Sequence, residues 1–149
     1  MVGNWSPQIT RGGGWTRTSG LVSLDTGTDR VQAANINYVR QAGVFDGADA
    51  AAKIVSAMTD LPATGGTVDA RGFEGAQAWA ADPFTGVTKK VHLILGASTP
   101  VLASNTTVPS NVTLEFTEGG KLSVASTKTL TINGDIVAPL SQIFTGAGT

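Results

Sequence analysis

Apolar and polar positions alternate in very short runs through the C-terminal third of the chain. The runs are Val112-x-Leu114-x-Phe116, Leu122-x-Val124, Leu130-x-Ile132, Ile136-Val137 and Ile143-Phe144. A period of two marks a strand with one face buried. Turn residues fill the gaps: Glu118-Gly119-Gly120, Ala125-Ser126-Thr127, Asn133-Gly134-Asp135 and Ala138-Pro139. Strands this short and this evenly spaced fit coils that stack on one another, so the pattern predicts an all-β solenoid, a short parallel β-helix. Upstream, Val91-His92-Leu93-Ile94-Leu95 reads as a strand buried on both faces, followed by Pro100-Val101-Leu102 and Thr106-Thr107-Val108. Thr67 to Arg71 reads as a further strand, ended by Gly72.

One segment carries the helical period instead. Over residues 46–61, Ala51, Ile54, Val55, Met58 and Leu61 fall on one stripe, and Ala50-Ala51-Ala52 favour the helix. Asp46 is the expected N-cap, with Asp49 in the first turn; Pro62 stops the helix and Gly65-Gly66 turn the chain into the next strand. One helix ahead of many short strands predicts a cap on the N-terminal end of the stack, where open strand edges would otherwise be exposed.

Residues 1–44 break this order. Gly12-Gly13-Gly14, Ser19-Gly20 and Gly27 interrupt every element, so this stretch is expected to be an extended arm, ordered only against a partner, and residues 45–149 the cap helix plus β-helix domain. Trp5 and Trp15 are natural anchors on such an arm, with Arg11, Arg17, Leu21, Leu24, Tyr38 and Arg40 completing the expected docking set. The arm carries Arg11, Arg17, Arg30 and Arg40 against Asp25 and Asp29, a basic leader on an acidic body. Over 149 residues the ten basic and eleven acidic side chains leave no polyelectrolyte footprint for nucleic acid or an anionic membrane. Cysteine is absent, which removes disulfides and thiolate metal sites. Met1 to Thr10 has no apolar leader core, and no apolar run reaches membrane-spanning length.

Candidate chemistry is sparse. Asp69 and Arg71, two residues apart, would share a strand face as an exposed ion pair, or grip an acidic sugar or abstract a proton. Glu115 should face outward opposite Val112, Leu114 and Phe116, with Glu118 in the next turn; the pair could bind a sugar or Ca²⁺ but reads first as solvated surface. His92 is the single histidine and, inside an apolar strand, reads as a structural one. Thr106, Thr107, Thr113, Thr127, Thr129 and Thr131 are expected to point outward. Glu118-Gly119-Gly120-Lys121-Leu122 lacks the spacing and hydroxyl of a phosphate loop, and no cofactor is expected.

Phe45-Asp46-Gly47-Ala48-Asp49 through Leu61-Pro62-Ala63-Thr64-Gly65-Gly66-Thr67-Val68 resembles the opening of the pectate-lyase-like β-helix superfamily, as found in bacteriophage tailspikes and related virion proteins. Val108-Pro109-Ser110-Asn111-Val112-Thr113-Leu114 looks like its first complete coil and Leu130-Thr131-Ile132-Asn133-Gly134 like a later one. Two features depart from that pattern: Asp69-Ala70-Arg71-Gly72-Phe73 replaces a proline-glycine-tyrosine turn, and the many further coils that carry catalytic carboxylates in enzymatic members are missing. The resemblance implies a right-handed β-helix and a non-enzymatic structural protein of a virion, either a capsid decoration or cement protein or the root of a tailspike or fibre. It also implies a homotrimer, other virion proteins as partners, and a route through the host cytoplasm into the particle. Two rivals stand beside it: the N-terminal piece of a β-helix polysaccharide depolymerase, and a surface glycan-binding module.

Overall fold

The computed structural model describes residues 15–18, 21–24 and 38–149, Ala76 excepted. The chain divides into two compact units, residues 1–34 and 35–149. In the first, β1 (Trp15–Thr18) and β2 (Leu21–Leu24) pair antiparallel, Trp15 opposite Leu24 and Arg17 opposite Val22.

The second unit is a parallel β-solenoid with one helix. It opens with β3 (Val39–Gln41), a 3₁₀ turn at Ala42–Val44 and α1 (Ala50–Asp60). Four coils follow: β4 (Gly66–Asp69) and β5 (Ala78–Trp79); β6 (Val91–Leu95), β7 (Val101–Leu102) and β8 (Thr106–Val108); β9 (Val112–Phe116), β10 (Leu122–Val124) and β11 (Leu130–Ile132); β12 (Asp135–Val137) and β13 (Phe144–Gly146). Corresponding strands stack in three parallel sheets, ordered β3-β4-β6-β9-β12, β5-β7-β10-β13 and β8-β11. Gly66 lies opposite Val91, Val91 opposite Val112, and Thr113 opposite Asp135, so successive coils repeat after 25, 21 and 22 residues.

The alternating pattern sets which way each side chain points. Inward columns run Val68–Leu93–Leu114 and Trp79–Leu102–Val124, all buried, so like sits on like from coil to coil. Phe116 and Phe144 meet edge to face at 5.7 Å, as do Trp79 and Phe84 at 5.9 Å. Two expectations change here. The strand Val91–Leu95 alternates in burial rather than being buried throughout, which turns His92 and Ile94 outward. Thr106 points inward and is buried, its hydroxyl donating to the Ser104 carbonyl, and Thr127 sits in a turn at φ 67° rather than on a strand.

The helix is shorter than expected. Asp49, not Asp46, is its N-cap: Oδ1 accepts from the Ala52 amide at 2.8 Å, while Oδ2 accepts from the Ala80 amide at 3.1 Å and ties the helix to the end of β5. Asp46 instead accepts the Ser56 hydroxyl at its carbonyl. Ala51, Ile54 and Met58 are buried as the stripe predicts, but Val55 is exposed. Lys89, from the turn before β6, donates from Nζ to the Met58, Thr59 and Leu61 carbonyls, placing a cation on the negative end of the helix.

The boundary expected at residue 44 falls earlier. Val39, Arg40 and Gln41 pair in register with Thr67, Val68 and Asp69, so the solenoid already includes them.

Candidate functional site

The five-stranded sheet presents its polar outer face as two columns. One runs Val39–Thr67–His92–Thr113–Asp135 and the other Gln41–Asp69–Ile94–Glu115–Val137. Because β-strand side chains alternate, each of these residues faces away from the packed interior. A groove of about 570 Å³ crosses the first column, lined by Tyr38, Thr67, Lys90, His92, Asn111 and Asp135 among others. Tyr38 is 54% exposed there.

Charge on this face is concentrated in one row. Asp69 Oδ2 meets Arg71 Nη2 at 2.7 Å, and Asp69 Oδ1 accepts from both the Arg71 Nε and its backbone amide at 3.0 Å. Strand β4 ends at Asp69, so this pair closes the turn after the strand instead of lying along it. The hydrogen bond from Arg71 holds the Asp69 carboxyl below the ordinary carboxylate range, against the opposite pull of partial burial. Asp69 in turn raises Arg71, and Glu115 adds to that effect, which places Glu115 within electrostatic reach of the guanidinium.

Glu115 also reaches the next coil back. Its Oε2 lies 2.7 Å from His92 Nε2, an atom shielded from solvent whose contact lacks the in-line angle of a hydrogen bond. Reading the sequence alone misses this pair, because His92 looks buried and Glu115 looks solvated. The repeat of 21 residues brings it within reach: with His92 beside Thr113 and Ile94 beside Glu115, the two are diagonal neighbours on adjacent strands. Glu118 stands apart in the exposed turn after β9. Among the described residues, no group of three or more His, Asp or Glu side chains could hold a metal ion, and no helix is long and apolar enough to cross a membrane.

The expected docking residues divide. Trp5 and Arg11 lie outside the described residues, and Trp15, Arg17, Leu21 and Leu24 belong to the hairpin of the first unit. Tyr38 and Arg40 are part of the solenoid. Arg40 Nε binds the Asp60 carboxylate at 2.5 Å and Nη2 the Asp60 carbonyl at 3.0 Å, so its guanidinium clamps β3 to the end of the helix.

A second surface lies at the last coil. Leu130, Ile132 and Phe144 are only partly buried and line a hollow of about 400 Å³, while Ile136, Val137 and Leu140 are exposed. The ladder continues beyond β11: Leu130 donates its amide to the Thr149 carbonyl at 2.7 Å, and Thr149 donates to Lys128 at 3.0 Å. Comparison with protein-family models, with characterised proteins and with solved structures gave no match to this chain.

Proposed function

We propose that this chain is a structural protein of a bacteriophage virion, a decoration or cement protein or the root of a tailspike or fibre. The observation that supports the reading is the last coil. Its partly buried Leu130, Ile132, Ile143 and Phe144, with Ile136, Val137 and Leu140 beside them, form a surface suited to burial in an assembly. In this reading the solenoid winds right-handed, as parallel crossovers nearly always do, and α1 serves as its N-terminal cap. The paired strands of residues 15–18 and 21–24 are the docking element: two strands of four residues are marginal alone and gain stability against a partner. Three copies pack side by side, and the chain scaffolds without turning over a substrate.

Particles purified after lysis of the source cells test this directly. Mass spectrometry should find the chain in them, a version lacking residues 1–34 should fold but fail to be incorporated, and sedimentation of the purified protein should give a trimer. Absence from particles, or full incorporation without residues 1–34, refutes the reading.

The groove carrying Tyr38 favours a glycan-binding module as the second reading, since an exposed aromatic ring among hydroxyl and amide groups suits a sugar. Retention on host polysaccharide, lost in Tyr38→Ala and without release of new chain ends, would select it. Release of ends would select the depolymerase instead.

A further inference from the structure

We propose that His92 and Glu115 form a proton-controlled latch between the second and third coils of the solenoid. The inference does not depend on what the protein assembles with. Its basis is geometric: the two side chains project from adjacent strands, β6 and β9, and their ring nitrogen and carboxylate oxygen approach to 2.7 Å. Their side chains are 39% and 32% exposed although Nε2 itself is shielded, and they sit on a strand-to-strand contact that any separation of the coils must break.

The pair sits among other charged groups on this face. From β4, Asp69 faces this surface but is already bound by Arg71. Arg71 stands within electrostatic reach of Glu115. Asp135 of β12, Lys90, just before β6, and Tyr38 line the same groove as His92. Asp69, Arg71 and Glu115 together carry one negative charge; an imidazolium at His92 neutralises the row, and a neutral ring leaves it unbalanced. Histidine is the side chain that ordinarily changes charge between about pH 5 and 8, whereas glutamate stays ionised down to about pH 4. The latch is therefore closed where imidazolium and carboxylate coexist, and it opens as pH rises.

A double-mutant cycle on the full chain, read as thermal midpoints at pH 5.5 and pH 8, tests the latch. At pH 5.5, His92→Gln and Glu115→Gln should each lower the midpoint by about 2–4 °C, and the double variant by less than their sum, as suits a half-exposed pair. At pH 8 that coupling should vanish. His92→Lys keeps a positive charge at both values, so its coupling to Glu115 should persist at pH 8. Coupling of equal size at both pH values for wild-type His92, or no coupling at pH 5.5, overturns the proposal.

Discussion

Asp69 shows how one carboxylate can close a coil. It ends β4, receives the Arg71 backbone amide and binds the guanidinium through both oxygens, with only 13% of its side chain exposed against 54% for Arg71. Since folding holds its carboxyl below the ordinary range, the stabilisation is fully present above the unfolded carboxylate range near pH 4. It is lost as pH falls through the folded value. The midpoint difference between wild type and Asp69→Asn should therefore be constant from about pH 7 to pH 5 and shrink as pH falls further below the ordinary carboxylate range near pH 4. A difference that grows on acidification would contradict the assignment. The pairing of Asp69 with Arg71 was legible from their spacing, but the turn was not, because Asp69 pairs with Ile94 and Arg71 lies beyond the ladder. Glycine positions were read as turns, and the close contacts explain two of them. A Cβ at Gly134 would sit 1.9 Å from the Val112 carbonyl oxygen, and Gly65 combines φ +90° with a 1.8 Å approach to the Lys90 carbonyl.

At the scale of elements, the period-2 triplets were legible almost residue for residue: Val112–Phe116, Leu122–Val124 and Leu130–Ile132 are the observed strands. Alternation is a local property, and each coil buries its apolar positions against the coil before and after it. The helix start was less legible because two aspartates compete. Asp49 wins by serving two amides at once, one of them on Ala80, far away in sequence. Lys89 on the helix end and Arg40 against Asp60 are likewise long-range contacts with no sequence period. Met58, 4% exposed, packs in the same apolar cluster as the coil interior. Met58→Asp should cost about 3–5 kcal/mol by burying an unpaired carboxylate. Val55→Asp, on the exposed side of the same helix, should change stability by less than about 0.5 kcal/mol in chemical denaturation. Equal losses in the two variants would show that the helix is not packed as described.

For the whole molecule, the outer face of the five-stranded sheet was the least legible part. Its row of Asp69, Arg71, Glu115 and His92 exists only once coils are stacked in register, and the register comes from a repeat visible only after the turns have been counted. The parallel ladders have a mechanical consequence as well. Their hydrogen bonds run from coil to coil, along the stacking axis, so a pull between the two ends of the solenoid loads the ladders in series and not in parallel. Such a body yields like a coiled spring being unwound one turn at a time, rather than rupturing at a single force. In single-molecule stretching each released coil of 21, 22 or 25 residues should lengthen the tether by roughly 70–90 Å. The trace should be a series of low, even steps, and a protein so built would absorb a sudden tug by paying out length while its remaining coils stay folded.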